Sequence, residues 1–151
     1  LDRMDSMLYR YNPTKVILLI GINDLMPDIS GTVTFYGVYG GSIVIAEISG
    51  MPSANHFHGF HIHDGDNCIG NIGGHYNPTG MLHPEHSGDL PPLLAADGNA
   101  FLAFYTNRFY PDDVIGKLVI IHSDMDDFHS QPSGNPGVII ACGNIKESSK
   151  I

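Results

Sequence analysis

The sequence predicts an all-β fold, an antiparallel sandwich or barrel, and three observations predict it. The 151 residues include 18 Gly and 10 Pro, a turn-rich count at odds with a helical bundle. About seven short apolar runs of strand length alternate with turn residues. No long stretch repeats its apolar residues at helical spacing. Hydrophobic residues make up 42%, enough to bury the core of a single domain. No apolar run approaches the roughly 18 residues that a bilayer-spanning helix needs.

In chain order, residues 1–14 read as a leader and 15–151 as the domain. Leu1, Met4, Met7 and Leu8 have a loose helical spacing, and Met4 and Met7 read as apolar filler on a short helix. The chain opens at Leu1 without a signal-peptide pattern. Residues 16–20 are apolar and partly β-branched, bounded by Pro13 and Gly21, and predict a buried strand. Residues 32–36 and 42–48 predict two strands joined through 37–41, whose glycines tolerate positive φ. Residues 58–63 predict the next strand. A long stretch, 64–89, is rich in Gly, Asn, Pro and His; loops of that length in compact domains are usually functional or disordered. Strands are predicted again at 100–105, 117–122 and 138–142, with a second irregular loop at 123–137.

Seven Lys and Arg against 16 Asp and Glu give a net charge of −9, which disfavours nucleic acid or an anionic membrane as a partner. Nine His is a high count beside seven cations, and imidazole is the commonest side-chain metal ligand. His61 and His63 stand two apart on a predicted strand, so both leave the same face. The following loop adds His75, His83, His86 and Asp89, and a later strand ends in His122. Such a set is hard to explain as solvated surface. Cys68 and Cys142 are compatible with a disulfide, a shared metal site or two unrelated thiols.

The runs Gly59-Phe60-His61-Ile62-His63, Gly74-His75-Tyr76-Asn77-Pro78, His83 and His86-Ser87-Gly88-Asp89-Leu90 resemble the copper/zinc superoxide dismutases, especially bacterial ones. The resemblance continues through 116–122, Gly134-Asn135 and Ala141-Cys142-Gly143, and covers roughly residues 29–145. It implies a Greek-key antiparallel β-sandwich of immunoglobulin-like kind. It implies copper on His61, His63, His75 and His122, the residues of catalysis. It implies zinc on His75, His83, His86 and Asp89, with His75 shared as a bridging imidazolate. The donor types agree, three imidazoles plus a carboxylate suiting zinc and four imidazoles suiting copper. Asp126 matches the acid that hydrogen-bonds ligands of both metals. Cys68 and Cys142 match the family disulfide, and Cys68 follows His61 at the bacterial spacing. The implied reaction turns superoxide into oxygen and hydrogen peroxide, with the residue at His75 taking up a proton in the reduced state. A location outside the cytoplasm follows from the disulfide and the family's habit. The oligomeric state stays open, a homodimer included.

The sequence departs from that pattern at one place. The family's active-site arginine falls three residues before the second disulfide cysteine, where this chain has Ile139. No Lys or Arg occurs between Lys117 and Lys146 or between Lys15 and Arg108. Steering by a cation changes on-rates by roughly 10–10³, so slow, weakly salt-dependent dismutation is expected. The alternative is a copper- and zinc-binding module, for storage or sensing, with little catalysis. A cupin is disfavoured because Asn67 and Cys68 stand where its carboxylate belongs. His129 reads as a surface loop residue, and so do His56 and His58. Residues 12–16 and 21–24 resemble a block of the SGNH-type esterases, but the Gly-Asp-Ser nucleophile is absent. Asp126-Asp127-Phe128-His129 supplies only a base, so 16–20 is read as the first strand of the sandwich.

Overall fold

The computed structural model describes residues 15–21, 28–52 and 54–147, the first of these stretches by its backbone course alone. The helix expected near Leu1 to Leu8, and most of the esterase-like block, lie outside the described residues. Nine strands are described: β1 Lys15–Gly21, β2 Ser30–Val38, β3 Gly41–Ser49, β4 His56–His58, β5 Phe60–His63, β6 Leu93–Ala96, β7 Asn99–Thr106, β8 Leu118–His122 and β9 Ile139–Asn144. A single 3₁₀ turn covers Pro111–Val114. No helix among the described residues is long and apolar enough to cross a membrane.

All the paired strands are antiparallel, in the order β4-β6-β7-β3-β2-β1-β9-β8-β5. The two ends of that order, β4 and β5, are consecutive in the chain and separated by Gly59 alone. The sheet therefore closes on itself where the chain steps from one edge to the other. Gly59 makes that step with its N–H donating to Asp124 O and its carbonyl accepting from His122 N. A Cβ there would lie 2.7 Å from Pro136 Cβ, so the close approach requires glycine. The continuous strand expected at 58–63 is thus two strands belonging to opposite edges.

Alternation builds the core. Val33 and Phe35 of β2, Val44, Ala46 and Ile48 of β3, and Phe60 and Ile62 of β5 are buried inside the barrel. Each of these side chains but that of Ala46 contributes roughly 1.5–3 kcal/mol by burial. The expected strand at 16–20 is β1, paired with β2 and β9, which makes it an integral member of the barrel. β8 departs from alternation, because Leu118 to His122 are all buried. Val119 and Ile121 face the main core, while Leu118 and Ile120 form a second cluster with Cys142 under Cys68 and Ile72 of the long loop. The Cys68–Cys142 disulfide fastens that loop to β9.

Candidate metal centre

On β5 the inward places go to Phe60 and Ile62, which sends His61 and His63 to the other face. The long loop then returns along the open edge of β5. Ile62 N donates to Gly88 O, Tyr76 N to Ile62 O and Leu90 N to Phe60 O. Isolated bridges set His61 against Asp89 and His63 against His75. Gly88 is needed for this return, since a Cβ would strike Ile62 O. Residues far apart in sequence are in this way laid beside the two strand histidines.

Two groups of ligand atoms result. His61, His63, His75 and His122 offer one set and His75, His83, His86 and Asp89 the other, with the atoms of each set within 4.8 Å of one another. His75 belongs to both. The hydrogen bonds fix which nitrogen each ring presents. His61 Nε2–H donates to Asp126 Oδ2 at 2.8 Å, His63 Nδ1–H to Gly73 O at 3.0 Å and His122 Nδ1–H to Gly137 O at 3.3 Å. His83 Nε2–H donates to Asp126 Oδ1 at 2.8 Å. Each ring is left with a bare nitrogen on its other side.

Those bare nitrogens are His61 Nδ1, His63 Nε2, His75 Nε2 and His122 Nε2 in the first group and His83 Nδ1 and His86 Nδ1 in the second. All are buried without a hydrogen-bond partner, a costly state unless an ion accepts their lone pairs. In the second group Asp89 Oδ2 lies 3.2 Å from His83 Nδ1 and 3.1 Å from His86 Nδ1, and Asp89 Oδ1 2.6 Å from His75 Nδ1. Two ligands about 2.1 Å from a tetrahedral zinc stand roughly 3.4 Å apart, so the set needs little adjustment to close on one ion. The donor set and its orphaned nitrogens fit copper in the first group and zinc in the second.

The electrostatics hold these ligands ready. Burial lowers His61, and burial with His75 nearby brings His63 down to about 3. Burial, with His61 adding to it, brings His122 down to about 4, so these rings are neutral at pH 7. Burial alone would raise Asp126, but hydrogen bonds from His61, Phe128 N and His83 outweigh it and bring the carboxyl down to about 2. Burial alone would likewise raise Asp89, but the His75 hydrogen bond and the nearby His75, His83 and His86 rings together hold it below the usual range.

Asp126 is 3% exposed and touches a ring from each group, which separates it from its exposed neighbour Asp124. Ile139 pairs with His122 across β8 and β9 and packs, half-buried, against the Leu118, Ile120 and Cys142 cluster. His56 and His129 are exposed. His58 is not, contrary to its surface reading: it is 1% exposed and its Nδ1–H donates to His122 O at 2.8 Å. Its spacing from His61 sets it on the opposite side of the strand from that ring, which is the side of Phe60 and Ile62 and therefore the interior, where it lies under the end of β8. Sequence reasoning also missed Gln131, whose amide donates to His83 O and accepts from His83 N. Arg108 was missed too; its Nη1 reaches the carbonyls of Pro84, His86 and Asp89. Neither has a periodic or motif signal, because both read main chain.

Comparison with known proteins points the same way. The family model for copper/zinc superoxide dismutase matches residues 29–145. A Cu-Zn superoxide dismutase of Deinococcus radiodurans is 35% identical over 145 aligned residues, covering 80% of this chain and 79% of the relative. Superoxide dismutase [Cu-Zn] 3 of Arabidopsis thaliana is 32% identical, covering 90% of this chain and 92% of the relative. An extracellular Cu-Zn superoxide dismutase of Brugia pahangi is 31% identical, covering 81% and 71%. Since the match spans the strand histidines, the loop that returns to them and both disulfide cysteines, the chain belongs to the copper/zinc superoxide dismutase family, enzymes whose cofactors are copper and zinc and whose substrate is superoxide.

Proposed function

We propose that this chain dismutates superoxide slowly, with copper on His61, His63, His75 and His122 and zinc on His75, His83, His86 and Asp89. The observation that carries the reading is the set of six buried, partnerless imidazole nitrogens, gathered around a ring that belongs to both groups. Copper held by the first group would supply one-electron redox chemistry toward superoxide, and zinc would be held by the second, with His75 offering a nitrogen to each group. The protein's own part is positional. Asp126 locks the His61 and His83 rings, and carbonyls of Gly73 and Gly137 lock His63 and His122. In this reading His75 Nε2 holds a proton between the two halves of the reaction.

The low rate is inferred from charge. Ile139 brings an apolar side chain to the position where the family has arginine, and the cations of the span 16–145 are Arg108 and Lys117 alone. Lys117 is paired with Asp64 and lies over the Tyr76 ring, and Arg108 is engaged by loop carbonyls. We further infer a location outside the cytoplasm, supported by the Cys68–Cys142 disulfide and by relatives named extracellular. The test is superoxide decay per bound copper in the protein loaded with both metals. A rate above that of free copper and below that of an arginine-bearing relative is expected. A rate equal to free copper's would favour the storage or sensing module, and uptake unchanged by His75→Ala would overturn the shared-ring reading.

A further inference from the structure

Arg108 belongs to neither ligand group, yet its Nη1 donates to Pro84 O at 3.2 Å, His86 O at 2.9 Å and Asp89 O at 3.3 Å. All three carbonyls come from the segment that carries His83, His86 and Asp89. Carbonyl oxygens converging on one point set their dipoles against each other, and a guanidinium cation relieves that opposition. The root of Arg108 is fixed. Its N–H donates to Thr106 Oγ1 at 3.2 Å, and the next residue, Phe109, is buried against Phe35 with its carbonyl taking Ser42 Oγ–H at 2.9 Å. The ligand-bearing segment is thereby fastened to the end of β7, a strand that supplies no ligand. Gln131 grips the same segment at its start, through both polar groups of the His83 peptide.

We propose that Arg108 is the positioning residue of the zinc-side group, setting the backbone path on which His83, His86 and Asp89 converge. The inference rests on the zinc reading above. Its effect passes through geometry, since the guanidinium touches main chain and no ligand atom. Removing a group that orients ligands from behind typically lowers metal affinity about 10–100-fold.

The test compares Arg108→Gln, Arg108→Lys, Lys146→Gln and Asp89→Asn in the full chain. Zinc affinity is read by chelator competition, and cobalt(II) put in place of zinc reports coordination through its visible absorption. Arg108→Gln is expected to bind zinc about 10–100-fold more weakly and to lose the strong tetrahedral cobalt bands. Arg108→Lys, which keeps the charge and three donors, is expected to recover most of both, within about threefold of the parent. Lys146→Gln, the same charge change elsewhere, is expected to alter neither. Parent-like zinc affinity and cobalt spectrum in Arg108→Gln would overturn the proposal. Should that variant not fold, Arg108→Lys decides, since an ammonium cannot reproduce the planar reach: a small but measurable loss supports the role and none overturns it. Zinc uptake unaffected by Asp89→Asn would instead sink the zinc reading itself, so the two failures are separable.

Discussion

Asp126 joins the two ligand groups through a single carboxylate, one oxygen on His61 Nε2 and the other on His83 Nε2, with Phe128 N also donating. Asp126→Ala would leave two buried N–H groups without an acceptor, a loss of about 1–3 kcal/mol for each. It would also free both rings to turn. We expect affinity for both metals to fall about 10–100-fold, read by chelator competition; a fall confined to zinc would contradict the shared clamp. Gly134 makes a second case. It has φ +73, and a Cβ there would land on Asp126 Oδ1 and 2.6 Å from His83 Nε2. Gly134→Ala is therefore expected to imitate Asp126→Ala in metal retention while also lowering Tm; wild-type copper and zinc content would refute it. At this scale the histidines of both groups were legible as a set, because a strand pair two apart and the loop that follows gather them in the sequence, and the family resemblance divides them between two groups. His58 was not, since facing away from His61 means facing solvent only where the ligand side is the covered one, and here Phe60 and Ile62 make the opposite side the interior. Arg108 and Gln131 were silent because a side chain that reads carbonyls leaves no mark on spacing.

The elements differ in how much of them the residues disclose. Runs such as 32–36 and 100–105 are visible because β-branched, aromatic and apolar residues cluster between turns, and the strands extend one or two residues past them at either end. β6 was hidden: Leu93-Leu94-Ala95-Ala96 follows Pro91-Pro92, and paired identical residues mask an alternation in which Leu93 and Ala95 are buried and Leu94 and Ala96 exposed. β8 shows the reverse, a continuous apolar run produced by cover on both faces. One of those covers is the loop pinned by Cys68–Cys142, which closes 74 residues of sequence separation. The chain-entropy model gives about 4 kcal/mol for a loop of that size. Reduction, or Cys68→Ser with Cys142→Ser, is thus expected to lower the free energy of unfolding by about that amount, read by denaturant unfolding. Hydrogen exchange should rise at the loop amides of Asp66 and Asn67, which donate to Asn71 O, before it rises in the β2–β3 ladder. Simultaneous loss in both would mean that the loop and barrel unfold as one unit.

At the scale of the whole molecule the governing quantity is charge. A protein of net charge −9 repels an anionic substrate, and only a local cation at the mouth can reverse the sign of the field there. The two cations of the span 16–145 are already engaged, by Asp64 and by loop carbonyls, and in the proposed reading Ile139 stands at the place of the family arginine. Added salt screens repulsion and attraction alike within about a Debye length, about 8 Å at physiological strength. The dismutation rate of the metal-loaded protein is therefore expected to stay level or rise slightly as salt is added. Ile139→Arg should change both the size and the sign of that response. The rate at low salt should rise by about 10–10³, and it should then fall as salt increases, because the new gain is electrostatic. Some stability should be lost in exchange, since Ile139 packs beside Leu118, Ile120 and Cys142 and an arginine there must keep its head in water. Stopped-flow decay of superoxide across a salt series measures the first effect and thermal denaturation the second. A wild-type rate that already drops steeply with salt would mean that an attractive field reaches the mouth from groups other than Arg108 and Lys117, and the account of slow turnover would fail with it.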